Sequence, residues 1–178
     1  QGRGWTAVRL LSGVLIAESL VLLASAAWRM SLYVGAYGLS FKRLVTYWGM
    51  GMMTLFFLAA LWKLLRTDRS FCRLAFPIAL AGWVLLNCVP LDALVARDQV
   101  DRVLSGETAV LDVEYLLEDL SYDTLPQLAR LDGSRSVYTQ EGKTTLEALL
   151  TQRRSEARAE CSDWRAWNLS AWRASTDS

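Results

Sequence analysis

The sequence predicts an all-α membrane protein with three transmembrane helices followed by a small helical extramembrane domain. The segment 44–65 reads LVTYWGMGMMTLFFLAALWKLL and carries no charge before Lys63. Two further apolar segments, 5–28 and 72–91, have similar lengths, and about 20 apolar residues cross the roughly 30 Å hydrocarbon core of a bilayer. Up to position 91 the chain has nine Lys/Arg and two acidic residues, and after it ten against sixteen. A basic, apolar first half is therefore joined to an acidic, polar second half.

The residue types present argue against several kinds of site. The chain has no histidine, which removes the commonest general base and metal ligand near neutral pH. Its three cysteines are far apart and show no zinc-ligand or C-x-x-C spacing, so we expect no metal, no cofactor and no disulfide framework. The acidic second half would repel phosphates, so nucleic acid is not an expected partner. Together these observations favour a protein without catalytic activity over an enzyme.

Span one, 5–28, has tryptophan at both ends, as is usual where a helix meets the two headgroup layers. Glu18 lies near its middle, where a carboxylate is costly and normally faces protein or a water-filled cavity. Arg9 precedes it by nine residues, or about 900° of helix, so the two point to opposite sides. Glu18 therefore needs a partner on another helix. It is either a protonated carboxyl hydrogen-bonded inside a bundle or part of a path for ions or protons.

The link between spans one and two is rich in tyrosine and basic residues. Arg29, Tyr33 and Tyr37 recur every fourth residue and would share one face of a helix, which the following glycine is expected to end. Lys42 and Arg43 come just before span two. Tyrosine and arginine at the end of a span are typical of an interfacial helix with its cations on lipid phosphates. These five side chains form a candidate headgroup site, or a pocket for a lipid-linked substrate.

Spans two (44–65) and three (72–91) contain glycines and alanines that allow another helix to approach closely. Asn87 lies near the end of span three and is the second candidate intramembrane polar residue after Glu18. We expect it to donate a hydrogen bond to another helix.

Residues 92–173 are expected to form a helical soluble tail domain, and residues 174–178 a disordered end. Helices are predicted over 92–104, 111–120, from Asp123 to Leu131, over 144–159 and from Ser162 or Asp163 onward. A polar loop is predicted between Asp132 and Gly142. The acidic side chains near Asp112 are read as a solvated helix face, with a Ca²⁺ or Mg²⁺ site as the alternative.

The last predicted helix carries Trp164, Trp167 and Trp172, which would fall within roughly 140° of arc. Such a stripe can pack within the tail domain, lie against the membrane interface or stack on a ligand. The candidate interaction residues of the tail are Asp92, Arg97, Asp112, Tyr115, Trp164, Trp167 and Trp172.

Short motifs along the chain resemble a bacterial family of polytopic membrane proteins. They are Arg29-x-x-x-Tyr33-x-x-x-Tyr37-Gly38-Leu39-Ser40-x-x-Arg43, Asp92-Ala93-x-x-Ala96-Arg97, Leu111-Asp112-x-x-Tyr115-Leu116-Leu117, Leu120-Ser121-x-Asp123-x-x-Pro126 and Trp164-Arg165-x-Trp167-Asn168-Leu169-Ser170. On these motifs the chain is similar to the family known as domain of unknown function 4173, allied to the 4153 type. The resemblance covers most of the chain and would place it at the C-terminal end of the family's pattern. It implies no established activity.

Basic residues near the membrane slightly favour one orientation. Six lie at the end that holds Gln1 and the loop between spans two and three, and five at the opposite end. By the positive-inside rule this places Gln1 and that loop in the cytoplasm and the tail outside. The resemblance to a bacterial family implies that the membrane is the inner membrane. Because the chain begins with Gln1 and three spans leave many faces uncovered, we also expect a fragment of a larger protein.

The expected function is that of an integral membrane subunit, or the C-terminal part of a larger membrane protein, which acts as an assembly component of a complex. Its partners would be membrane lipids and other membrane chains or missing spans. The alternatives are a transporter or channel component that uses Glu18, and a membrane enzyme acting on a lipid-linked substrate.

Overall fold

The computed structural model describes residues 3–66, 71–108, 111–139, 142–162 and 165–176. The chain forms two compact units, Gln1–Val89 and Pro90–Ser178, called here the membrane unit and the tail unit. Each is described by itself.

Three helices make up the membrane unit: α1 (Arg3–Tyr37), α2 (Phe41–Leu65) and α3 (Phe71–Cys88). All three are long and apolar enough to cross a bilayer, since even the 18 residues of α3 extend about 27 Å. The predicted fold class is confirmed: a nearly all-α protein with three candidate membrane spans and a small helical region after them.

The large side chains of these helices face outward. Leu11, Leu22 and Phe76 are 63%, 71% and 70% exposed, and none of the most apolar 18-residue window of α1 is buried. Apolar surface of this extent is not stable in contact with water. The chain is therefore an integral membrane protein, whose helices are covered by lipid or by other protein.

Helix α1 is longer than the predicted span 5–28, because the segment from Arg29 to Tyr37 continues the same helix. At 35 residues it measures about 52 Å, well beyond the hydrocarbon thickness. It ends where expected, at Gly38, whose φ of 76° is readily adopted only by glycine. Span three is shorter than predicted: α3 ends at Cys88, because Pro90 cannot continue its hydrogen bonds.

Close contacts hold the three membrane helices side by side. The guanidinium of Arg9 on α1 donates to the carbonyl of Leu64 near the end of α2 at 2.6 Å. Between α2 and α3 the close approach is at Gly82, which is buried. A Cβ atom there would overlap the Met52 thioether and lie 3.3 Å from the Trp48 ring.

The tail unit begins with α4 (Leu91–Leu104). There follow a π-helical turn (Tyr115–Asp119), a 3-10 turn (Tyr122–Thr124), α5 (Leu125–Leu128), β1 (Ser136–Thr139), β2 (Gly142–Thr145), α6 (Leu146–Ser162) and α7 (Leu169–Thr176). The two strands pair antiparallel, with Ser136 opposite Thr145 and Val137 opposite Thr144.

A well-packed apolar core distinguishes the tail unit from the membrane unit. Side chains from the helices, the turns and the hairpin are buried in it. Fully buried are Val95, Ala96 and Val100 of α4, Leu116 of the π-helical turn, Leu128 of α5, Leu146 and Ala157 of α6, and Ala171 of α7. A core of this kind is typical of a domain in water.

The hairpin corrects the prediction of a polar loop between Asp132 and Gly142. Strand β1 carries the alternation Ser-Val-Tyr-Thr and β2 ends in two threonines, and β-branched and aromatic residues favour strands. Val137 is buried, so the strand has an inward face that the polar composition hid.

Two helix starts were also predicted wrongly. Asp123 is not the N-cap of the helix that follows it: Asp123 lies within the 3-10 turn, and Thr124 is at the N-cap position of α5. The last helix does not begin near Ser162: α6 extends to that residue, and α7 begins only at Leu169. The carboxamide oxygen of Asn168 accepts from the Ala171 backbone N–H at 2.7 Å, as an N-cap does. Asp163 and Trp164 lie outside the described residues.

The disorder expected for 174–178 does not begin at Ala174. Helix α7 continues to Thr176, and Ala174 is 4% exposed, so core packing extends close to the end of the chain. Residues 177 and 178 lie outside the described ranges.

Candidate functional site

Glu18 lies exposed on the outer face of α1. Its neighbours on the same face of α1 are Val14, Ala17, Val21 and Leu22, which form a shallow apolar surface around it. Within the described part of the chain no side chain pairs with it. The carboxylate therefore faces apolar surroundings with its hydrogen-bonding capacity unused.

Asn87, the second predicted polar residue of the membrane unit, does not supply that partner. Its carboxamide donates to the carbonyl of Trp83, one turn earlier in α3, at 2.7 Å. This bond uses one of the two N–H donors of the carboxamide within its own helix. The two residues thus differ: Asn87 has a hydrogen-bond partner on its own helix, and Glu18 has none among the described residues.

The turn between α1 and α2 brings three of the five predicted headgroup residues together. The rings of Tyr33 and Tyr37 stack with centroids 6.2 Å apart, and the Arg43 guanidinium lies 5.8 Å from the Tyr37 centroid. Arg43 also donates to the carbonyl of Gly38 at 2.6 Å. It therefore closes the turn through a backbone bond and a cation–π contact.

The other two members of that group, Arg29 and Lys42, are exposed. Arg29 precedes Tyr37 by about two turns of α1, and Lys42 is in the first turn of α2. The arrangement is an aromatic and basic surface at one end of a helical hairpin, of the kind that sits at headgroup depth.

Two of the motif segments of the tail meet in the fold. Asp92 at the start of α4 accepts a hydrogen bond from the backbone N–H of Ser121 at 3.0 Å. Burial raises the pKa of the nearby Asp123 carboxyl above its usual range, Arg173 lowers it in part, and the charge of Asp92 adds to the rise. Asp92 thus ties α4 to the segment that carries Asp123.

The remaining charged candidates make local contacts. Asp112 accepts from the backbone N–H of Tyr115 at 3.0 Å and so caps the turn that follows. Arg97 pairs with Asp101 at 3.6 Å, and Asp101 also accepts from Arg130 at 2.7 Å. Within the described ranges, the acidic and cysteine side chains form no group of three that could hold a metal ion.

The predicted tryptophan stripe on one helix is wrong. Trp167 precedes α7, Trp172 lies within it, and they are 53% and 48% exposed. Leu169 between them is 50% exposed. These side chains do not pack in the tail core, which leaves them available at the surface.

One cluster in the tail was missed by the sequence analysis. The Tyr122 hydroxyl donates to the Glu160 carboxylate at 2.8 Å, and the Arg153 guanidinium lies 4.9 Å from the centroid of the Tyr122 ring. Arg153 also bonds Glu156 at 2.8 Å, which lowers the pKa of that carboxyl. Since 38 residues separate Tyr122 from Glu160, no local pattern could have paired them.

We predict that the Tyr122 phenol makes the tail unit less stable at high pH. Burial, followed by the hydrogen bond to Glu160, raises its pKa from 10.0 to about 12. The folded state therefore holds this proton more tightly than the unfolded state, so the stabilisation is complete below pH 10 and is lost between pH 10 and 12. We expect the urea midpoint of the tail, measured by pulse proteolysis of the full chain in detergent, to fall across that window.

The matched variant is Tyr122→Phe, which keeps the ring and removes the titrating group. It should start less stable, because it lacks the hydrogen bond, and should lose less stability between pH 10 and 12 than the natural chain. Parallel losses in both proteins would show that other groups cause the alkaline unfolding.

Comparison with known proteins adds a family but no activity. The profile of DUF4153, described as a domain of unknown function, matches residues 1–131 of the 178-residue chain. The matching family is therefore DUF4153, and not the related domain of unknown function 4173 that the motifs suggested. Neither the curated proteins nor the solved structures contain a significant match.

Proposed function

From the premise that this chain belongs to the family of DUF4153, a domain of unknown function, we propose that it is an integral membrane subunit. Its role is assembly: α1 is covered by further membrane helices, of another chain or of the same larger protein. Lipid covers the remaining apolar surface, and the tail unit offers an interaction surface outside the bilayer.

The unpaired carboxylate of Glu18 carries this proposal. A carboxyl group near the bilayer centre that faces lipid is unfavourable by several kcal/mol, and its side chain is too short to reach the interface. The described part of the chain offers it no partner. A polar group on a neighbouring helix removes the cost, and the apolar face of α1 around Glu18 is shallow and open enough for such a helix to pack against it.

The test compares the complexes that the chain forms in mild detergent. We expect Glu18→Leu to lower the association constant for complexes larger than the 20.0 kDa monomer by roughly three- to thirtyfold, the range for one interhelical hydrogen bond. Glu18→Gln, which can still donate and accept, should retain most of the complex. Native gel electrophoresis of solubilised membranes measures both.

Ser19→Ala is the matched control, because the Ser19 hydroxyl is already bonded to the Leu15 carbonyl of its own helix at 2.8 Å. It should leave the complex unchanged. A natural chain that runs only as a monomer, or a Glu18→Leu variant that assembles normally, would disprove the proposal. If Glu18→Gln assembles but abolishes proton uptake into proteoliposomes, Glu18 belongs to a transport path instead.

We further propose that the chain lies in a bacterial inner membrane with the tail on the extracytoplasmic side, on the strength of the basic residues at the Gln1 end. A membrane-impermeant thiol reagent should then label Cys161 in intact spheroplasts when it is the only cysteine retained. Labelling only after lysis would reverse the orientation.

A further inference from the structure

A groove between α2 and α3 combines basic and apolar walls. It encloses about 660 Å³, within the size range of small-molecule sites. Its basic walls are Lys63, Arg66 and Arg73, and its apolar walls include Leu55, Leu58 and Leu74. No acidic side chain is among the described residues that line it.

The charges lie at one end of the groove. Lys63 and Arg66 are at the C-terminal end of α2, and Arg73 is in the first turn of α3. Leu55 is eight residues earlier in α2 than Lys63, which places it about 12 Å deeper along the helix. The groove thus runs from a basic mouth at the membrane surface to an apolar floor inside the bilayer.

The three cations lack anionic partners in the described part of the chain. Lys63, Arg66 and Arg73 are exposed, and no described carboxylate pairs with any of them. Arg66 is held over the Trp62 ring, with its guanidinium carbon 5.4 Å from the centroid. Stacking of this kind orients a guanidinium while leaving its N–H donors free for an oxyanion.

From this charge distribution we propose that the groove binds one anionic phospholipid. Its phosphate lies at the mouth among the three cations, and an acyl chain lies along the leucine-lined wall. A basic pocket between helices at the membrane surface is suited to a phosphorylated headgroup, and the apolar floor selects a lipid over a free anion. The site is distinct from the surface around Tyr37, which lies at the opposite end of α2.

The binding experiment uses the purified full chain in neutral detergent and native mass spectrometry. We expect phosphatidylglycerol to bind with a stoichiometry of one and at least tenfold more tightly than phosphatidylcholine. In the triple variant K63Q/R66Q/R73Q that preference should fall tenfold or more, since each cation near an anionic headgroup is worth roughly fivefold. The double variant R154Q/R158Q, which removes two cations from α6 of the tail unit, should keep the preference within twofold.

A second variant separates the apolar part of the site from its charges and from any effect on membrane insertion. L58W changes an exposed wall residue (47% exposed), keeps all three cations and should narrow the groove, so phosphatidylglycerol binding should weaken at least fivefold. K63R/R66K/R73K keeps the charge and should retain most of the binding.

Three results would overturn the proposal. The first is equal binding of phosphatidylglycerol and phosphatidylcholine to the natural chain. The second is unchanged binding in both the triple variant and L58W. The third is displacement of the lipid by millimolar inorganic phosphate, which would assign the basic mouth to a free anion.

Discussion

Leu146→Ala is expected to destabilise the tail unit by about 2–5 kcal/mol, the usual cost of removing a buried leucine side chain. Leu146 is 0% exposed and begins α6 directly after β2. Its backbone N–H donates to the carbonyl of Arg135 at 3.0 Å, so the chain around the side chain is held and cannot easily close the resulting cavity. A small domain has only about 5–15 kcal/mol in total, so much of this unit should unfold at moderate urea concentrations.

Pulse proteolysis of the full chain in detergent, over a urea series, measures the effect. Leu104→Ala is the matched control, because Leu104 also lies on a helix of the tail unit but is 54% exposed. It should change the free energy of unfolding by less than about 0.5 kcal/mol. Equal midpoints for the two variants would mean that Leu146 is not part of a packed core.

The Leu146→Ala variant also tests how far along the chain the cooperatively folded unit extends. The family profile ends at residue 131, whereas the tail unit continues to Ser178. If Leu146→Ala makes cleavage within α4 faster as well as within α6, the segment after residue 131 belongs to the same cooperative unit. Protection of α4 in that variant would instead indicate that the two parts unfold separately.

Gly82→Leu is the second substitution with a large expected effect. A Cβ atom at Gly82 already overlaps the end of the Met52 side chain and lies 3.3 Å from Trp48. A leucine adds three more carbons at this contact and should push α2 and α3 apart, at a cost of about 1–3 kcal/mol. Gly82→Ala should cost much less, because the flexible Met52 thioether can move aside.

The unfolding midpoint in a titration of mild-detergent micelles with sodium dodecyl sulfate reports this loss. Gly49→Leu and Gly51→Leu are matched controls on α2. Apart from the adjacent residues and the local backbone of the same helix, no described atom lies within 4 Å of a Cβ placed at either glycine. Both should leave the midpoint unchanged in the isolated chain. If they weaken it as much as Gly82→Leu does, the helix packing differs from the one described here.

The wrong sequence predictions share a physical cause. The β-hairpin was read as a polar loop because three of the four residues in β1 are polar, and only burial of Val137 identifies its inward face. The helix expected to carry three tryptophans was assigned from spacing alone. Asn168, four residues before Trp172, begins the real helix by capping it, and several polar residues in that region could have served equally well.

The presence of three membrane-spanning segments, by contrast, was determined by the sequence alone, although the structure changed the ends of the first and third. Whether a segment can cross a bilayer depends on its own length and apolarity, and the end of α1 depends on one glycine at the point where φ becomes positive. Both are local properties of the chain. Glu18 was recognisable for the same reason, because a carboxylate inside such a segment stands out whatever surrounds it.

Only the tertiary structure decided which side chains meet. The bond between Tyr122 and Glu160, the contact of Asp92 with Ser121, and the basic mouth formed by Lys63 and Arg73 each join residues from separate elements. Such contacts depend on how helices pack and turns close, and these depend on the whole set of core side chains rather than on any one segment. The structure likewise showed that Asn87 bonds within its own helix and that Glu18 is left exposed, which is why Glu18 is the residue that carries the proposed assembly.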